Sequence, residues 1–291
     1  ALDVGRGVPT QAGSRDLFVS HGHLDHALGV PYVLSQRTLH HQDPTRVFCP
    51  LPVADALGGF VAAAERLEGV SYRYEIVGLA PGSRGEVGRD LAIEAFATDH
   101  VVPSLGFHLL RRRRKLKEEF RSLSGSELAR LRADRVAIEG DSEELWLSYC
   151  GDTGPGVWKL APRLPRSRLL IIECTFLGDE VRQHGSAYKH LHFDDLVEHE
   201  SDLAAHEAIV LHHLSRRHST AELRAEVETR LPGLASRVHL LGEALYEVDC
   251  NAALYGTPAC ISEERQGDIQ SPDLGLREAL RRGEHLSGVT D

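Results

Sequence analysis

Short apolar runs alternate with longer amphipathic stretches along most of this chain. Leu17 to Ser20, Val47 to Cys49, Tyr72 to Val77, Leu91 to Thr98, Gly106 to Leu110, Leu145 to Tyr149, Leu169 to Ile172, Ile209 to Leu211 and Arg237 to Leu241 read as strands. Between them, Ala27 to Ser35, Pro52 to Leu67, Ser126 to Ala133 and Ser219 to Arg230 carry helical spacing. Pro52 falls near a first turn, where its missing N–H costs little. Asp194 and Asp195 read as the N-cap of a helix running toward Ala204, and the Gly/Pro-rich Pro81 to Gly88 as a turn. Strand, loop and helix recurring in this order predict an α/β fold. Polar residues such as Asp152 and Glu173 stand at strand ends, where such sheets place their chemistry. After Cys250 the periodicity weakens, so residues 1–249 read as one domain and 250–291 as an irregular tail with one helix, Leu274 to Arg282.

Composition narrows this picture modestly. A chain of 291 residues can bury a core that needs no disulfide support. Its five cysteines are scattered, odd in number and free of any CxxC pair, which points to reduced thiols and a cytoplasmic protein. No run reaches the length of a transmembrane helix, and the first residues lack a signal-peptide pattern, so no membrane partner is expected. The absence of methionine, even at position 1, leads us to expect a missing N-terminal strand. A net charge of -10 weighs against a generally basic nucleic-acid surface, although a local basic patch can still bind phosphate.

The chemistry is concentrated in His21-Gly22-His23-Leu24-Asp25-His26, directly behind the first apolar strand. Imidazole suits zinc or iron and carboxylate widens the range, so this mixed set serves one cation or two adjacent ones. Further candidates lie at strand ends or in loops: His100 after Thr98-Asp99, Asp152 in Cys150-Gly151-Asp152-Thr153, His192, and His213 after the apolar Ile209 to Leu211. In this order the motifs resemble the metallo-β-lactamase fold superfamily. His100-Val101-Val102-Pro103-Ser104-Leu105-Gly106-Phe107, Glu173-Cys174-Thr175-Phe176, His192 before an acidic helix start, and His213-Leu214-Ser215 are similar to its ribonuclease Z branch. The resemblance covers roughly residues 2–241.

That resemblance implies an αββα sandwich with two mixed sheets flanked by helices. It implies one metal on His21, His23 and His100 and a second on Asp25, His26 and His213, with Asp152 bridging them. Two divalent ions follow, with zinc expected and manganese or iron as alternatives. Asp25 is the implied proton acceptor from the attacking water, His192 the donor to the leaving oxygen, and Glu173 the carboxylate that orients His192. His190 competes with His192 for the donor role, and His212 with His213 for the ligand role. Thr153 and Ser215 are candidates for hydrogen bonds to ligands or phosphate.

Arg111-Arg112-Arg113-Arg114-Lys115-Leu116-Lys117 opens an insertion, 111–144. It reads either as a grip on RNA phosphates or as a solvated strand end and turn balanced by Glu118 and Glu119. Full-length bacterial ribonuclease Z proteins are implied to carry a Gly/Pro-containing arm between the lone His and the GDT motif; this chain has no such Gly-Pro stretch there. The resemblance implies hydrolysis of precursor tRNA at its 3′ end, by a homodimer as is common in the family, while the missing stretch counts against tRNA and not against hydrolysis. The rivals are a hydrolase of a small phosphodiester or other ester, and a metal-binding scaffold without turnover.

Overall fold

In a computed structural model of the chain, residues 1–178, 188–215 and 217–241 are described. The tail at 250–291 and the helix expected at Leu274 to Arg282 lie outside the described residues. The first half builds a small sheet through helical crossovers. Strand β1 (Asp16–Phe18) leads through α1 (Leu24–Ala27) and α2 (Val30–Leu39) to β2 (Thr45–Pro50), and α3 (Ala54–Glu68) leads on to β3 (Tyr74–Leu79). Because helices make both connections, the three strands are parallel, in the order β1-β2-β3. This sheet differs from the two mixed sheets expected. Leu2 adds a parallel bridge to Phe18.

The second sheet starts as an antiparallel meander of β4 (Arg84–Val87), β5 (Leu91–Ala97) and β6 (Leu105–Leu116), then α4 (Gly125–Ala133) and β7 (Glu139–Tyr149). It continues through α5 (Val157–Leu160), β8 (Leu169–Glu173), α6 (Phe193–Glu198), α7 (Glu200–Leu203), β9 (Ala208–His212), α8 (Thr220–Arg230) and β10 (Val238–Leu240). The seven strands lie in the order β10-β9-β8-β7-β6-β5-β4, with the β7 to β10 half parallel.

The period-two alternation of the strands sorts side chains into layers. On β1 and β2, Leu17, Val47 and Cys49 face Val33, Leu34, Leu57 and Val61 of α2 and α3. The intervening Phe18 and Phe48 stack at 4.7 Å and pack against Ile93, Phe107, Leu147 and Tyr149 of the large sheet. On its other face, Leu170, Ile172, Ile209 and Leu211 pack against Phe193, Leu196, Leu203 and Val227. These three apolar layers make the expected αββα sandwich.

Three local expectations change. Part of the turn at 81–88 is strand β4, paired with β5. Strands β6 and β7 run well past their apolar cores into the insertion 111–144, so Arg111 to Leu116 is ladder rather than turn. The expected cap at Asp194 and Asp195 lies earlier: His192 is the N-cap of α6, its ring accepting from the Asp194 N–H while Asp195 reaches back to the His192 N–H.

Candidate metal centre

All seven expected metal-binding side chains converge between the two sheets. His21, His23, Asp25 and His26 fill the loop and first turn after β1, His100 follows β5, Asp152 follows β7 and His213 follows β9. His21, His23, His100 and Asp152 form one group and Asp25, His26, Asp152 and His213 another, the candidate atoms of each lying within 4.8 Å of one another. Asp152 belongs to both. Its Oδ2 is 3.8 Å from His21 Nε2 and 3.3 Å from His213 Nε2, and its Oδ1 is 3.3 Å from His26 Nε2. Asp25 completes the second group at 3.3 Å from His213 Nε2 and is the one solvent-facing member, 63% exposed. Gly151 has φ +58, and a Cβ there would stand 2.7 Å from that of Ser20. Only glycine fits that approach, which seats Asp152 against the β1 loop.

The surroundings fit this set to cations. Four of the imidazoles are held from behind through Nδ1: His21 by Ser20 Oγ at 3.0 Å, His26 by Asp3 Oδ2 at 2.6 Å, His100 by the Lys189 carbonyl at 3.3 Å and His213 by Thr175 Oγ1 at 2.8 Å. Such partners fix the tautomer and leave Nε2 free to act as a ligand. His26 Nε2 and Asp152 Oδ1 are buried and form no hydrogen bond. Buried atoms of this kind are costly unless something pairs with them. Burial pushes His21 down to about 3, which keeps a neutral lone pair available. Burial also works against charge on His26, yet the carboxylates of Asp152 and Asp3 raise its pKa to about 10. The centre thus attracts positive charge.

Beside the cluster, His190 donates from Nδ1 to Glu173 Oε1 at 2.8 Å, and its ring stacks on His213 with centroids 5.1 Å apart. Glu173, His190 and His213 form a third close group. This corrects the expectation for His192, whose Nε2 bonds the Gly178 carbonyl and whose ring caps α6, away from Glu173. The capping pattern is the signal that separates the pair: His192 with Asp195 three residues on is an N-cap, which leaves His190 for the site. Burial works against charge on His190, but the Glu173 hydrogen bond and the nearby Glu173, Asp152 and Asp25 carboxylates outweigh it and raise its pKa. His212, the other competitor, is buried against Tyr149 and belongs to none of the groups.

The remaining candidates act elsewhere. Thr153 is fully buried; its N–H donates to Glu173 Oε1 at 2.7 Å and its Oγ1 accepts from the Asp99 N–H at 3.0 Å. It positions Glu173 and is not placed to meet phosphate. Ser215 Oγ accepts from the Arg217 N–H at 3.2 Å and lines a cavity with Thr175, Leu214, His218 and Ser219 rather than touching a ligand residue. Arg111, Arg112, Arg113 and Arg114 stand opposite Glu144, Glu143, Ser142 and Asp141 on β7. Arg112 pairs with Glu86 and Glu143, and Arg113 with Glu144. At the ordinary strand rise, Arg111 lies about 20 Å along β6 from its His100-proximal end.

Two contributors escaped the sequence reading. Asp3 accepts from the Ser20 N–H and Oγ, both at 2.7 Å, from His26 and from the Tyr149 hydroxyl. Thr175 sits 2.8 Å from His213 Nδ1 and 2.5 Å from Glu173 Oε2, joining the two groups.

The chain is similar to known proteins. The Beta-lactamase superfamily domain model matches residues 12–213. The protein is 31% identical to "tRNase Z TRZ1" of Arabidopsis thaliana over 245 residues, 83% of this chain and 87% of the relative. It is 28% identical to the chloroplastic "tRNase Z TRZ2" of the same organism over 78% of this chain and 64% of that one. The crystal structure of the short form of human tRNase Z superposes with a TM-score of 0.52 at 19% identity, covering 82% of this chain and 84% of that one.

Proposed function

The chain belongs to the metallo-β-lactamase superfamily, in its ribonuclease Z-like branch, and from that premise we propose that it is a metal-dependent endoribonuclease that cleaves precursor tRNA at the 3′ end. The observation that carries the reading is the Glu173–His190 pair laid against a ligand set whose two halves share Asp152.

His21, His23, His100 and Asp152 would hold one divalent ion and Asp25, His26, Asp152 and His213 a second, with zinc as the native metal and manganese or iron as alternatives. When bound, such a pair activates water and neutralises charge building on a phosphodiester. The chain's own groups complete the reaction. Asp25 is exposed at the mouth and accepts the proton of the attacking water. His190, whose proton affinity Glu173 raises, delivers a proton to the departing ribose oxygen. Thr153 and Thr175 hold the Glu173 carboxylate, and Asp3, itself fixed by Ser20 and Tyr149, holds His26 from behind. Retention of the full set argues against a scaffold without turnover.

A homodimer is part of this proposal: Leu24, Leu28 and Tyr32 recur at helical spacing and are 61, 52 and 39% exposed, an apolar stripe suited to a second copy. Sedimentation of a Leu28→Glu variant as a monomer beside a dimeric parent would support it. A cytoplasmic setting is also proposed, supported by the free, buried Cys49, Cys150 and Cys174. No helix among the described residues is long and apolar enough to cross a membrane.

One observation favours a small phosphodiester as the substrate: the ion pairs of Arg112 and Arg113 spend basic charge that RNA would otherwise meet. The deciding experiment incubates the zinc- or manganese-loaded protein with precursor tRNA and with a chromogenic phosphodiester. Cleavage of the tRNA at the 3′ end of the acceptor stem is expected; turnover of the chromogenic ester with the tRNA left intact would overturn the tRNA assignment.

A further inference from the structure

Outside the ligand set, Asp99 gathers three segments of the site at one residue. Its N–H donates to Thr153 Oγ1 at 3.0 Å, and its carbonyl accepts from the Gly154 N–H at 2.7 Å. Its Oδ2 accepts from the Gly156 N–H at 3.2 Å, and its Oδ1 lies 2.9 Å from Lys189 Nζ. Gly156 is required for this approach, since a Cβ there would come 2.6 Å from Asp99 Oδ2. Lys189 is unusual in its own right. Its φ is +54, a conformation that a residue with a Cβ adopts only when its surroundings impose it. Its carbonyl receives His100, and the next residue in the chain is His190.

These contacts close a ring. Asp99 bonds Thr153, Thr153 bonds Glu173 Oε1, the same oxygen accepts from His190, His190 follows Lys189 in the chain, and Lys189 returns to Asp99. The Glu173 hydrogen bond fixes the His190 ring at one nitrogen, but the backbone that carries the ring is fixed by Lys189. We propose that the Asp99–Lys189 ion pair is a clasp that positions His190, holding the left-handed turn at Lys189 that carries the imidazole to Glu173 and His213. Lys189 and Asp99 are positioning residues in this scheme, because neither reaches the reacting atoms except through its neighbours. A half-exposed ion pair adds little to global stability. Its loss is therefore read in placement and not in melting.

The proposal rests on His190 as the proton donor, and the test separates the two ideas. Asp99→Asn and Lys189→Met remove the pair at nearly constant volume, while Lys189→Arg keeps it. Each is compared as metal-loaded full chain on an RNA phosphodiester, whose leaving alkoxide needs a proton, and on bis(p-nitrophenyl) phosphate, whose leaving group does not. Both disrupting variants should lower kcat on RNA by about ten- to a hundredfold with KM retained, because a displaced donor costs rate and not binding. Assayed at saturating metal, because the Lys189 carbonyl also holds His100, they should spare the nitrophenyl ester and exchange backbone amides faster over residues 188–192. Lys189→Arg should restore RNA cleavage, and the Asp99→Asn/Lys189→Met double variant should fall no further than either single, as expected when both changes break one contact. Unchanged kcat on RNA, equal losses on both substrates, or additive losses would each overturn the clasp. His190→Ala runs alongside: if it too spares RNA cleavage, the donor reading fails, whereas a loss there with intact clasp variants defeats the clasp alone.

Discussion

His190 and His192 are separated by one leucine, yet they face different tasks. His190 meets Glu173 at 2.8 Å, whereas His192 closes the first turn of α6. His190→Ala should lower kcat on precursor tRNA by about 10²- to 10⁴-fold, the span of general acid catalysis. His192→Ala should keep most of the turnover and destabilise the fold by about 1 kcal/mol, the usual value of an N-cap. Steady-state kinetics and thermal melts on the two variants check the assignment; matched kinetic losses would refute it. Asp3 supplies a second test. With four donors on one buried carboxylate, three of them from Ser20 and Tyr149, it holds His26 in one tautomer. Asp3→Ala should weaken metal binding by about 10- to 100-fold in a chelator competition, the usual cost of losing a group behind a metal-bound histidine. An unchanged affinity would assign Asp3 to folding only. Asp3 was not legible in the sequence, and His190 stood there only as a competitor. An aspartate 23 positions before its histidine belongs to no local spacing rule, and His190 is singled out only once the cap at His192 is recognised.

At the scale of elements, apolar alternation located the buried part of nearly every strand, because burial against a second layer is what writes that alternation into the chain. Where strands leave the sandwich the signal stops. Arg111 to Leu116 and Glu139 to Glu144 pair in register with no apolar layer over them, so their strand character comes from the ladder and from facing charges. β4 is hidden for a similar reason, since it is short, without a buried residue and bracketed by Gly82 and Gly88. The β6–β7 hairpin therefore projects from the sandwich at the end remote from His100 and Asp152. Joining Arg113 to Ser142 through an Asn-Gly turn, which matches the twist of a two-residue hairpin, removes its outer half. Turnover of a small phosphodiester should survive this change, and KM for precursor tRNA should rise if the basic strand meets RNA. An unaltered KM would assign Arg114 to Lys117 to solubility.

For the molecule as a whole, buried histidines outside the metal site tie stability to pH. His108 is 2% exposed between Ser148 and Phe96, and burial pushes its pKa down to about 4. Between the ordinary histidine value and that lowered one, the unfolded chain binds a proton that the folded chain refuses. Stability should thus be fully present above about pH 6.5 and fall as acid is added toward pH 4. The slope of melting temperature against pH in that window should flatten in His108→Gln; an identical slope would place the acid sensitivity elsewhere. The spread of the site along the chain has a kinetic meaning as well. Its ligands come from the loop after β1 and from the ends of β5, β7 and β9, so His21 meets its partners only after both sheets have formed and docked. Cations bound at such a late junction would not guide the chain toward its fold. They would act afterwards as a brake on unfolding, lengthening the lifetime of the native state while leaving the rate of its formation almost untouched.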